Sequence, residues 1–82
     1  VEFYFVDKLD RNTILSNFGK KLRLIRLEKG FTQEQLANEL GVEISQISRI
    51  ERGLINSSII NLYQIAKILN IEVSELFIFE DL

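Results

Sequence analysis

Three glycines, Gly30, Gly41 and Gly53, stand eleven and then twelve residues apart in an 82-residue chain that has no proline. Glycine enters the left-handed backbone region without steric cost, so it commonly closes a helix, and with no proline nothing else interrupts the segments between. The stretch "FTQEQLANELGVEISQISRIERG", residues 31–53, therefore divides into two short helices joined by a tight turn at Gly41. Such a pair suits a reading head better than an active site.

Hydrophobic spacing fills in the neighbouring elements. Ile14, Phe18, Leu22 and Ile25 share one face of a helix over residues 14–29, with Gly30 as its stop. A second helix over 32–40 has a clear start. Thr32 is the predicted N-cap and Gln35 completes a capping box, while Phe31 and Leu36 match a hydrophobic staple across it. A third helix over 44–52 turns Ile47 and Ile50 inward. Ser58 caps a fourth, whose predicted inner face is Ile59, Leu62, Ile65, Ala66 and Leu69, with Asn70 as a left-handed C′ residue. A last short turn runs from Ser74 through Phe77.

The ends are more ambiguous. "VEFYFV" and "LFIF" are rich in strand formers and fit short strands, frayed helix ends or a dimer contact equally well. Leu24, Leu27, Ile60 and Ile68 lie off the assigned core faces. They point either to an N-terminal arm (residues 1–13) folded back on the first and fourth helices, or to an oligomer surface.

Composition narrows the chemistry. The chain has neither Cys nor His, which removes disulfides, thiol catalysis, thiolate metal sites and the usual proton shuttle. No metal or cofactor is expected. At 46% hydrophobic the chain is too apolar for a disordered segment, and its apolar runs are far too short to span a membrane. A cytoplasmic location is the expectation. The net charge of −2 conceals a division: residues 11–56 hold eight Lys/Arg against five Glu, between acidic ends. A basic middle between acidic ends either places positive charge on one face or is ordinary surface scatter.

Five stretches, "FGKKLRLIRLEKG", "FTQEQLANELGV", "ISQISRIERG", "NSSIINLYQIAKILNI" and "SELF", together resemble the lambda-repressor-like helix-turn-helix family, the XRE or Cro/C1 type, over residues 18–77. The resemblance implies an all-α, compact five-helix DNA-binding domain over residues 14–82, with the helix-turn-helix at 32–52 and a short extra N-terminal segment. Within the family the chain is similar to small free-standing dimeric regulators and to the controller proteins of restriction–modification systems. Double-stranded DNA and a second copy of the chain are the implied partners.

Residue roles follow from the same resemblance. Ile44, Ser45, Gln46 and Arg49 match positions that meet base edges. A guanidinium such as that of Arg49 can pair bidentately with guanine. Gln33, Ser48, Arg52 and Asn56 match phosphate-facing positions, and the Gln33 amide also matches one that braces the recognition helix. Arg26 and Glu51 match a partly buried ion pair that ties the first helix to the third. Three positions depart from the family's commoner pattern. Ile44 replaces a polar or basic residue, and could touch a thymine methyl or pack beside the second helix. Glu43 replaces a Ser or Thr cap, and Leu54 with Ile55 replaces basic loop residues.

Three functions are weighed. The first is a sequence-specific regulator that binds a palindromic operator as a homodimer. The second is a protein-interaction module of the same fold, such as an antitoxin-like subunit. An enzyme is the third and is set aside, because no nucleophile with a base and no metal set completes a site around acids such as Glu28 and Glu51.

Overall fold

The computed structural model describes residues 10–82, and the reading of "VEFYFV" lies outside them. Four α-helices, α1 (Arg11–Glu28), α2 (Gln33–Leu40), α3 (Ile44–Glu51) and α4 (Ile59–Leu69), are followed by a 3-10 helix at Val73–Phe77. The described residues contain no strand. The all-α expectation holds, but the fifth element is not an α-helix. Its turn closes through i→i+3 bonds, with Glu75 N–H donating to the Glu72 carbonyl at 3.0 Å. A five-residue segment has too few i→i+4 bonds to offset helix nucleation, and the tighter turn needs fewer.

The first helix begins three residues earlier than its apolar spacing suggests. Asp10 is the cap, and its Oδ1 accepts from the Thr13 N–H at 2.7 Å. Residues 11–13 of the expected arm are thus the first turn of α1. That carboxylate's pKa is lowered, chiefly by the Thr13 backbone bond. At the start of α2 the capping box is present: Thr32 Oγ1 accepts from Gln35 N–H at 3.0 Å, and Gln35 Oε1 accepts from Thr32 N–H at 2.9 Å. Phe31 packs against the core that holds Leu36, as a staple requires. Ser58 caps α4 through the Asn61 N–H, and Asn70 closes it at φ +58°.

One core joins all the elements: Phe18, Leu22 and Ile25 from α1, Leu36 and Ala37 from α2, Ile47 and Ile50 from α3, Ile65, Ala66 and Leu69 from α4, and Leu76. Two expected inward residues lie outside it. Ile14 is 40% exposed, and Ile59 is 82% exposed because it is the first residue after the Ser58 cap, where the helix has not yet met the core. Leu62 is half-buried against the core. Of the surplus apolar residues, Ile68 packs on the core and Leu24 is half-buried, whereas Leu27 and Ile60 stay exposed; Phe79, from the "LFIF" end, also packs on the core. Phe77 is half-exposed, yet its ring sits 5.4 Å from that of Phe18, tilted by 41°. α3 packs against both α1 and α2, so α1 and α2 fix its direction.

Candidate nucleic-acid interface

α3 turns Ile47, Ile50 and Glu51 inward. At about 100° per residue, Ser45, Arg49 and Arg52 then share its outward face, with Ile44 and Ser48 on one shoulder and Gln46 on the other. Burial agrees: Ile44, Ser45, Arg49 and Arg52 are exposed, while Gln46 and Ser48 are half-buried. The described residues offer Arg49 no ion pair. Arg52 Nε donates to the Ser48 carbonyl at 3.3 Å and to its Oγ at 3.2 Å, which occupies one edge of the guanidinium. Asn56 is exposed on the loop that follows.

The inner side of α3 is tied to α1 by a buried polar group. Arg26 Nε donates to Glu51 Oε2 at 2.6 Å and Nη2 donates to Oε1 at 3.1 Å, a bidentate pair whose side chains are 6% and 2% exposed. Nη1 donates to the Phe31 carbonyl at 2.7 Å, so the same guanidinium also holds the entry to α2. Gln33, the first residue of α2, donates from Nε2 to Glu51 Oε1 at 3.0 Å. Its second N–H and its carbonyl oxygen lie beyond that bond. The Arg26–Glu51 pair is therefore a buried network of three side chains and one carbonyl, and Gln33 is a member of it.

Two glycines bring the backbones of α1 and the end of α3 together. A Cβ at Gly19 would clash with the Glu51 carbonyl oxygen and lie 2.5 Å from that of Ile50. At Gly53, where φ is +73°, a Cβ would meet Ser16 Cα at 2.9 Å. Sequence reasoning found Gly53 as a helix stop but missed Gly19. Its signal was a lone glycine inside an otherwise regular helical pattern, which often marks a close backbone approach.

The departures from pattern take defined places. Glu43 is extended and its side chain makes no capping hydrogen bond, so the first turn of α3 has no side-chain cap. Ile44, for which packing beside α2 was the alternative, is 48% exposed and is not among the residues packed on the core. Leu54 is 59% exposed, whereas Ile55 packs inward.

On the other side of α1 from Gly19, Lys21 Nζ donates to Asp81 Oδ2 at 2.7 Å. Sixty residues separate the pair, and no motif announces it. The Lys21 hydrogen bond is the main cause of a lowered Asp81 pKa. Among the described residues no group of three or more His, Cys, Asp or Glu could hold a metal ion, and no helix is long and apolar enough to cross a membrane.

This geometry has relatives. The helix-turn-helix family model HTH_3 matches residues 22–76. The control protein C.BamHI of Bacillus amyloliquefaciens is 42% identical over 69 residues, 83% of this chain and 85% of that protein. The crystal structure of the restriction–modification controller protein C.AhdI from Aeromonas hydrophila superposes with a TM-score of 0.74 at 43% identity, over 77% of this chain and 96% of that one. The structure of SinR, a master regulator for biofilm formation, in complex with DNA gives a TM-score of 0.68 at 37% identity, over 72% and 95% of the two chains. The chain spans about half the length of some other curated relatives it matches. The two-helix reader, its glycine-closed turns and these likenesses agree, and the chain belongs to the XRE, or Cro/C1-type, helix-turn-helix family of transcriptional regulators.

Proposed function

We propose that this chain is a sequence-specific DNA-binding regulator that acts in the cytoplasm as a homodimer on a palindromic operator. The observation that carries the reading is the division of α3, whose inner side is locked to α1 and α2 while Ser45 and Arg49 face outward. A helix held in this way can enter a major groove while the start of α2 meets phosphate. Similarity to a SinR structure solved with DNA supports it.

In this mechanism Ile44, Ser45, Gln46 and Arg49 meet base edges, and Gln33, Ser48, Arg52 and Asn56 face phosphates. Gln33 would bond a phosphate with the N–H that Glu51 leaves over, so backbone contact and helix orientation would share one side chain. Arg26 and Glu51 touch no DNA and orient α3. Exposed Ile59, Ile60, Tyr63 and Ile78 on α4 and the C-terminal segment supply an apolar surface for a second copy, which would set half-sites about one helical turn, ~34–36 Å, apart. Regulation is then occupancy of the operator, with no chemistry performed on it.

Binding isotherms on a selected operator and on a scrambled duplex, at several salt concentrations, test the reading. Arg49→Ala is expected to cost ~1–3 kcal/mol on the operator and little on scrambled DNA. Arg52→Ala is expected to weaken both and reduce the salt slope by about one. Sedimentation at micromolar concentration should give a dimer, and a monomer that persists with operator DNA would remove the palindrome. Exposed Leu54 and the acidic cap Glu43 favour the second reading, a protein-interaction module such as an antitoxin-like subunit. Binding to a protein partner without a steep salt slope, and no affinity of any variant for DNA, would put that reading first.

A further inference from the structure

We infer that Ile44 reads the C5-methyl group of a pyrimidine, thymine in ordinary duplex, at one fixed position of each half-site. The inference rests on the DNA-reading function proposed above and names part of what is read.

Ile44 is the first residue of α3, and the first turn of a reading helix is the part that comes nearest base edges. Its side chain is 48% exposed, while Leu40 and Val42 just before it pack on the core. The fold therefore leaves a large aliphatic group uncovered where a polar one would cost nothing. On the major-groove edge of a base pair the polar groups are hydrogen-bond donors and acceptors, the cytosine C5–H is small, and the thymine methyl alone projects a sizeable apolar group. An isoleucine set against guanine, adenine or cytosine would strip water from polar atoms and return no bond. Against the methyl it gains apolar contact and strips nothing.

The residue type also suits the task. A β-branched side chain in a helix is nearly confined to one χ1 rotamer, so docking it costs little side-chain freedom. Neither neighbour competes for the same spot. Glu43 offers only acceptors, and Ser45 lies on the outward face some 100° around the helix.

The test starts from duplexes that the full chain selects from a random pool. Each thymine of the selected half-site is then replaced in turn by deoxyuridine, which removes the methyl and nothing else. At one position per half-site the unmodified chain should lose about fourfold in affinity, the worth of one buried methyl group. Ile44→Ala should bind the thymine duplex less tightly by a similar factor or more, and should not distinguish thymine from deoxyuridine at that position. Its melting temperature, close to that of the unmodified chain, would show that the fold is kept. Equal binding to thymine and deoxyuridine at every position would overturn the inference while leaving DNA reading intact, as would an Ile44→Ala protein still sensitive to the methyl. A pool that yields no preferred sequence would overturn the DNA-reading function, and this inference with it.

Discussion

Two cations of α1 end on carboxylates, and the contrast between them separates the two sides of the domain. Arg26 meets Glu51 with both partners buried, and adds the Phe31 carbonyl and, through Glu51, the Gln33 amide. Lys21 is almost as buried, but its partner Asp81 is half in solvent. A buried pair is costly to break because the survivor is left charged in a poorly solvating place, whereas a partner open to water is re-solvated at once. The first pair thus fixes the angle of the reading helix, and the second merely fastens the end of the chain. Backbone packing follows the same division. Gly19 and Gly53 press α1 onto α3 without intervening side chains.

The largest test of this contrast removes the buried cation. Arg26→Ala is expected to cost ~3–5 kcal/mol in denaturant unfolding, with Glu51 left unpaired. In a double-mutant cycle Glu51→Ala should restore part of that loss. Additive losses would mean that the two residues act separately. Next comes the backbone contact: Gly19→Ala places a methyl against two carbonyl oxygens and is expected to cost ~1–3 kcal/mol. It should also weaken operator binding more than scrambled binding, since it displaces α3. Thr32→Ala is smaller, at ~0.5–2 kcal/mol, because it removes one cap from a helix that Arg26 still holds at the Phe31 carbonyl. Thermal unfolding of the two variants side by side ranks them.

The smallest effect lies on the open side. The folded pKa of Asp81 is lowered below its ordinary carboxylate value, so the tie adds stability above the unfolded pKa. That stability disappears as pH falls through the folded value. Carbon-detected NMR titration of the Asp81 carboxyl should show a depressed midpoint that returns toward normal in Lys21→Met. An unchanged midpoint would mean that the bridge does not persist in water.

How much of this was legible in the sequence follows the range of the interactions. Local chemistry was: the Thr32–Gln35 box, the Ser58 cap, left-handed Asn70 and the three glycine stops each involve residues within a turn of one another. Arg26 with Glu51 was legible only through resemblance to a family, because a separation of 25 residues leaves no periodic trace. Lys21 with Asp81 had neither aid. The start of α1 was misplaced because apolar spacing marks the buried stretch of a helix, and Asp10 opens a turn that lies before it. Ile59 was misassigned for the same reason: periodicity assigns a face to every residue, but a first turn need not reach the core. The residues matched to base-reading positions lie on or beside the outward side of α3, with Ile44, Ser45 and Arg49 exposed and Gln46 half-buried. The brace that Gln33 gives α3 was legible only through the same resemblance; that Glu51 is the group it holds, eighteen residues away, was not.

The residues that orient α3 and those it displays form two sets with no member in common. Arg26, Gln33, Gly19, Glu51 and Gly53 set its direction, while Ser45, Arg49 and Arg52 make up the face it presents, with Ile44 and Gln46 at its shoulders. Inherited changes can therefore alter the second set without disturbing the first. On the proposed function, a single substitution at Ser45 or Arg49 is expected to change the sequence bound and leave a folded protein.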